Sequence, residues 1–277
     1  MHTSRTSVTV GTFNIAWLGD GVDDREPRTE GDYQRVAEAI TDSGADVLGV
    51  QEVENEQAMA RVLKYMKGYK WLMGAGGGEQ RLGVLYKDDV LVRLVGEYTP
   101  LAMAEGRTRA GLVVQCKAGN FDWTMMVVHL KSSSRFDSTA ELREAARNLR
   151  SQQAQTLAAW MEERLHDPDK DVVIVGDFND FPTNEHLPTL QPMLAVPQYS
   201  FATYGLPSSK HEHSLGGEAG RPSIDHIVTS QSARHRLQRG SVMAVALYDQ
   251  YPDAVARKIS DHCPVVCRFD VVAPDSD

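Results

Sequence analysis

Apolar residues gather along the chain in short runs that stop abruptly at polar ones. Residues 8–17 alternate and then run apolar, which predicts a first strand with Asn14 near its end. A loop rich in Gly, Asp and Glu follows. Tyr33, Val36, Ala37 and Ile40 then recur at helical spacing behind Thr29 and Asp32, and residues 45–50 predict a second strand that ends in Gln51-Glu52. Residues 55–66 carry Met59, Val62, Leu63 and Met66 on one helical face, with Gly68 as the stop.

Strands are then predicted at 82–86, 90–95, 111–117 and 123–129, a density of hairpin-like strands that a purely parallel sheet does not accommodate. Ser138 and Glu141 form a capping-box pattern ahead of a long helix whose inner face holds Leu142, Ala146, Leu149, Gln153, Leu157, Met161 and Leu165, with Pro168 beyond it. Further strands are expected at 172–175, 224–228, 242–247 and 264–269, separated by a Pro-rich stretch over 182–207 and a flexible polar loop around 208–220. Two mixed β-sheets packed together, with helices outside, accommodate these elements. A single domain is expected over 1–277, with a structured core from about residue 7 to residue 271.

The composition narrows the function classes. With 277 residues and 42% hydrophobic content the chain can bury a large core. No stretch reaches the roughly 20 apolar residues of a membrane span, and the first seven residues lack the apolar segment of a signal peptide. The expectation is a cytoplasmic monomer, or a secreted protein if a leader was removed. Acidic residues outnumber basic ones, 38 to 29, for a net charge of -9, which excludes a protein that coats nucleic acid with its whole surface. A local basic rim around an acidic site stays compatible with it. Cys116, Cys263 and Cys267 supply neither a disulfide framework nor a Cys-x-x-Cys zinc site. The Gly74-Ala75-Gly76-Gly77-Gly78 run lacks the Lys-Ser/Thr of a phosphate loop and is expected to be a connection.

Candidate chemistry lies where the apolar runs stop: at Asn14, Glu52, His129, Asp177 with Asn179, Asp225, and Asp261-His262. Acceptors gathered beside imidazoles suit a cation and an anionic substrate. Glu52 is a natural Mg²⁺ ligand, though alone it would read as a solvated charge opening the next helix. Asp261-His262 pairs a metal ligand with a phosphate-binding or proton-transferring group, and Asp225, flanked by apolar residues, needs a partner that the His262 imidazole can provide. Asp177 and Asn179 alternate with Phe178, so both face one side, where they can orient or deprotonate a water. His129 is placed to donate to charge developing on a phosphoryl oxygen. Arg81 and Arg109 are candidates for the basic rim. Taken singly, an Asx-rich turn, a capped turn or a structural histidine would explain each of these. No aromatic stacking platform is evident.

The segments Thr12-Phe13-Asn14-Ile15-Ala16-Trp17, Gln51-Glu52-Val53, His129-Leu130-Lys131-Ser132, Gly176-Asp177-Phe178-Asn179, Ser223-Ile224-Asp225-His226-Ile227 and Ser260-Asp261-His262-Cys263-Pro264, in this order, resemble the endonuclease/exonuclease/phosphatase superfamily. The resemblance covers almost the whole chain. It implies a four-layer α/β sandwich of the deoxyribonuclease I-like kind and divalent-metal-dependent phosphoester hydrolysis. It further implies Asn14, Glu52 and Asp261 at the metal, His262 paired with Asp225, Asp177 and Asn179 at the nucleophilic water, His129 at the scissile phosphate, and Arg81 and Arg109 at the substrate. His-Leu-Lys-Ser followed by Arg150 and Gln153 looks more like bacterial nucleases than like inositol-phosphate phosphatases or sphingomyelinases. The expected activity is a Mg²⁺-dependent phosphodiesterase acting on nucleic acid, most of all DNA, with Mn²⁺ able to substitute. The alternatives are a phosphatase or phospholipid phosphodiesterase of the same superfamily, and a non-catalytic binding scaffold.

Overall fold

The computed structural model describes residues 5–133, 137–207, 222–247 and 250–275; the polar loop expected around 208–220 lies outside the described residues. In chain order the elements are β1 (Ser7–Leu18), α1 (Glu30–Asp42), β2 (Val47–Val53), α2 (Glu56–Leu63), β3 (Tyr69–Met73), β4 (Arg81–Lys87), β5 (Leu91–Tyr98), β6 (Gly111–Ala118), β7 (Phe121–His129) and α3 (Ala140–Arg164). They continue with β8 (Val172–Asp177), α4 (Gln191–Leu194), β9 (Tyr199–Phe201), β10 (Asp225–Ser230), α5 (Gln231–Arg236), β11 (Met243–Ala244), α6 (Asp253–Ile259) and β12 (Val265–Asp270).

Two six-stranded sheets result, ordered β11-β12-β1-β2-β4-β3 and β5-β6-β7-β8-β10-β9. Each is mixed: β1 runs parallel to β2 and β7 parallel to β8, while the remaining pairs are antiparallel. The hydrophobic pattern explains the stacking. Val8, Val10, Val47 and Val84 of the first sheet meet Val114, Val127, Val173, Val175 and Ile227 of the second in one buried core. The alternate residues face outward, Phe13, Ile15, Leu48 and Val50 against Tyr33, Val36, Ile40 and Met59 of α1 and α2. On the other side Met126, Val128 and Ile174 pack against Leu157, Trp160 and Met161 of α3. Strand alternation therefore sorts the residues into helix, sheet, sheet and helix, a four-layer α/β sandwich. A Cβ on Gly49 would sit 2.7 Å from Val175 Cγ2, so this glycine allows β2 to approach the second sheet closely.

Several expected boundaries move. The N-cap of α3 is Thr139, which accepts from the Leu142 N–H, rather than Ser138, and Leu142 is exposed. Arg150 replaces Leu149 on the buried face because its guanidinium finds the Lys131 carbonyl (2.8 Å) and Thr189 Oγ1 (3.0 Å). The strand expected at 242–247 shrinks to Met243–Ala244, and α2 stops at Leu63. β3 and β9, half-buried or short, carry no clean alternation and were not expected. All three cysteines are free and buried, and desolvation raises the Cys116 and Cys267 thiols. No helix among the described residues is long and apolar enough to cross a membrane.

Candidate active site

Register in the second sheet sets the first half of the site. His129 ends β7 opposite Asp177, which ends β8, and Asp177 in turn stands opposite Asp225, the first residue of β10. Directly opposed residues share a face, with Cβ atoms roughly 5 Å apart, so three polar side chains are lined up across adjacent strands. Beyond Asp177 the chain turns sharply. Asn179 has φ 54° and its N–H donates to Asp177 Oδ1 at 2.8 Å, while its Nδ2 donates to the Leu130 carbonyl at 3.0 Å. Phe178, fully buried between the Phe201 and His226 rings, pins that turn from behind; its removal to alanine would cost roughly 3–5 kcal/mol.

The second half comes from the first sheet through broken register. The β1·β2 pairing shifts between Asn14 and Leu18, and the β2·β4 pairing between Val50 and Val53. Ala16, Trp17 and Glu52 adopt positive φ (48°, 56° and 62°) in these irregularities. Such bulges re-aim side chains at a cost in backbone strain. Asn14 Nδ2 thereby reaches both Glu52 Oε1 and Asp177 Oδ2, each at 3.1 Å, bridging the two sheets. Arg28 secures the arrangement: its guanidinium donates to the carbonyls of Ile15, Ala16, Trp17, Lys258 and Ile259 at 2.8–3.2 Å. Burial lowers its pKa from the usual guanidinium range. Ser260 completes the tie, donating to the Asn14 carbonyl (2.6 Å) and accepting from the His262 N–H (2.9 Å).

The resulting cluster is continuous. His129 Nε2 lies 3.8 Å from Glu52 Oε1 and 3.7 Å from Asp177 Oδ2; His262 Nε2 lies 3.7 Å from Asp177 Oδ2 and 3.8 Å from Asp261 Oδ1. His262 Nδ1 donates to Asp225 Oδ2 at 2.8 Å, which leaves Nε2 facing the other carboxylates. Arg109 Nη1 is hydrogen-bonded to His129 Nδ1. A guanidinium only donates, so Nδ1 accepts and His129 carries its proton on Nε2, pointing at the acidic groups. Desolvation lowers the Arg109 pKa, against the opposing pull of Glu52 and Asp177.

Nearly all sequence-derived candidates thus meet: Asn14, Glu52, Arg109, His129, Asp177, Asn179, Asp225, Asp261 and His262. Arg81 does not join them; its Nε donates to the Gly78 carbonyl, and its neighbour Gln80 lines the cleft instead. The cleft has a volume of about 260 Å³ and is walled by Glu52, His129, Gln80, Arg107, Arg109 and Lys131. Arg28, Arg107, Lys131 and Ser260 were missed as candidates. An arginine in a Gly/Asp-rich loop gives no local sign that it will cap five carbonyls, whereas Lys131, two residues after His129, was within reach of the same strand-end rule.

The acidic cluster suits a hard divalent ion. Asp177, Asp225 and His262 each offer a ligand atom within 4.8 Å of the others, so its buried side could itself hold an ion, a placement distinct from the Glu52 and Asp261 end that the family resemblance implies. Glu52 and Asp177 share the Asn14 amide and also accept from the Trp17 and Asn179 backbone N–H groups, all neutral donors, so carboxylates so grouped favour added positive charge beside that of Arg109.

No curated protein sequence matches the chain. Its fold is shared with truncated Caenorhabditis elegans TDP2 (TM-score 0.68, 18% identity, 95% of this chain and 98% of that one). It is also shared with a mannosyl-6-phosphatase of Bacteroides thetaiotaomicron (TM-score 0.65, 17% identity, 94% and 98%). A third similar structure is D. rerio TDP2 complexed with single strand DNA product (TM-score 0.66, 15% identity, 96% and 100%). Residues 11–262, from within β1 to His262, match the model of the Endonuclease/Exonuclease/phosphatase family. The chain belongs to that family, whose members are divalent-metal-dependent phosphoester hydrolases.

Proposed function

We propose that the protein is a Mg²⁺-dependent phosphodiesterase that hydrolyses nucleic acid, DNA foremost, and that it works as one domain. The observation that carries the reading is the cleft itself, in which Glu52 and His129 stand beside Arg107, Arg109 and Lys131. An acidic end suits a metal, and a basic wall next to it suits a phosphate backbone. Binding of single strand DNA product by a protein of the same fold supports the choice of substrate.

Glu52 and Asp261 would hold the ion, together with Asn14 once its amide turns to present Oδ1. The ion, when bound, polarises the phosphoryl group and neutralises its charge. Asp177 orients the attacking water and takes its proton as the oxygen closes on phosphorus, with the Asn179 amide steadying the same water. His262, kept in position by Asp225, and His129, through its Nε2–H, donate to the phosphoryl oxygens on which charge grows. Arg109 and Lys131 hold the neighbouring negative charge of the substrate.

The test is degradation of labelled single- and double-stranded DNA and RNA with Mg²⁺, Mn²⁺ or a chelator. Cleavage of DNA with metal, abolished by chelation and restored by Mg²⁺, is the expected result. Intact nucleic acid beside product released from a sugar phosphate or a phospholipid would overturn it in favour of a phosphatase or lipid phosphodiesterase, a reading that the mannosyl-6-phosphatase of the same fold keeps in view.

A further inference from the structure

Beyond the acidic cleft lies a second one of about 300 Å³, whose walls include Trp17, Gly77, Gly78, Glu79, Gln80 and Arg109. The two share Gln80, Gly106 and Arg109, so they form one groove that leads away from the phosphate-sized end. A volume near 300 Å³ is on the scale of small-molecule sites, which start at roughly that size. Trp17 is the one aromatic residue on the walls of this groove among the described residues.

Three features fit Trp17 to hold a planar group. First, it is anchored at the metal end: its N–H donates to Glu52 Oε2 at 3.2 Å, and its carbonyl accepts from Arg28 at 2.8 Å. Second, the positive φ of Ala16 and Trp17 departs from the extended conformation of the strand, and the ring is half-buried instead of sunk in the core. Third, the ring borders two spaces, both of which Glu79 also lines. Arg25 lies 3.9 Å over it and lines a small hollow of about 60 Å³ with Gly19, Glu54 and Glu79, but does not line the groove, which Trp17 does. A guanidinium on one face leaves the other for a stack. Gly77 and Gly78, at φ 103° and 59°, line the groove with backbone alone, next to Glu79 and Gln80. The Nε of Arg109, buried and with no hydrogen-bond partner among the described residues, adds a donor at the junction of the two clefts.

The geometry points to a nucleobase subsite in which the base adjoining the scissile phosphate stacks on Trp17. This rests on the phosphodiesterase reading above and names what that activity would recognise. It supplies a stacking residue that the sequence alone did not make evident. Aromatic stacking tolerates any base, so the subsite gives a preference for nucleotide esters over other phosphodiesters and no base sequence.

The experiment compares wild type, Trp17→Ala and Trp17→Phe, all with Mg²⁺, on an oligonucleotide and on the same oligonucleotide carrying abasic residues next to the cleaved bond. Trp17→Ala should lower the ratio of kcat/KM for the base-bearing over the abasic substrate by roughly 10-fold, the scale of one base–aromatic stack, mainly through KM. Trp17→Phe should recover most of that ratio. An equal loss on both substrates, or no change in the ratio, overturns the subsite. If wild type cleaves no nucleic acid, the phosphodiesterase reading fails separately, and fluorescence decides the subsite. Quenching by thymidine monophosphate that disappears in Trp17→Phe sustains it, and quenching absent from wild type or retained in Trp17→Phe overturns it.

Discussion

Two Asp-His dipeptides, Asp225-His226 and Asp261-His262, look alike on the page and occupy opposite situations in the fold. In the first the carboxylate points into the site and the imidazole points away, because successive residues of β10 face opposite sides of the sheet. His226 ends up fully enclosed, its Nε2–H donating to the Asp180 carbonyl (3.0 Å) and its Nδ1 accepting from Thr203 Oγ1 (2.8 Å). In the second dipeptide the imidazole is enclosed and the Asp261 side chain, 44% exposed, stands at the rim. The hydrogen-bonded pair is therefore assembled crosswise, Asp225 with His262. Strand face and register, rather than adjacency in the chain, decide which histidine faces the acidic cluster.

The contrast can be broken most strongly where the cluster converges. Asp177→Asn or His262→Ala should reduce phosphoester turnover by roughly 10³-fold or more, as loss of a general base or a charge-stabilising donor does, with far-UV circular dichroism unchanged. Turnover near that of wild type in either variant would remove the cluster from the chemistry. A smaller effect is expected from the crosswise partner: Asp225→Asn, which still orients His262 but cannot carry charge, should lose roughly 10- to 100-fold. Asp261→Ala should act chiefly on the metal, raising the Mg²⁺ concentration for half-maximal activity by a similar factor. Normal Mg²⁺ dependence would assign Asp261 to the surface.

The smallest effect on activity belongs to the excluded histidine. His226→Gln should leave turnover within a fewfold of wild type and change stability instead. Burial pushes His226 down to about 4 from its ordinary 6.5. As pH falls between those values the unfolded chain binds a proton that the native state refuses, so the stability from neutral His226 is complete above 6.5 and drains away towards 4. Urea midpoints at pH 7, 5.5 and 4.5 should fall more steeply for wild type than for His226→Gln; parallel profiles would refute the assignment.

Much of this was legible in the sequence because strand ends announce themselves. Asn14, Glu52, His129, Asp177, Asp225 and His262 each interrupt an apolar run, and the alternation that buries Val127 or Val175 also dictates where the next polar residue points. What stayed hidden depends on distant geometry. The bulges at Asn14–Leu18 and Val50–Val53 leave no mark in the hydrophobic pattern, yet they turn Glu52 and Trp17 towards the groove. Arg28 is indistinguishable from other loop arginines until the carbonyls of β1 and of the segment before Asp261 are brought to it. Arg81 and Gln80 are neighbours, and a shift of one residue settled which of them lines the cleft.

Glu52 sits at φ 62°, a conformation that suits glycine and strains a glutamate by about 1–3 kcal/mol. Replacement by glycine at this position would relieve that strain while deleting a carboxylate that the proposed function places at the metal, so selection for heat resistance alone would, on that proposal, drift towards lost turnover. Directed evolution on this scaffold should therefore screen for turnover and thermal tolerance together, since the proposed role of Glu52 sets the two against each other.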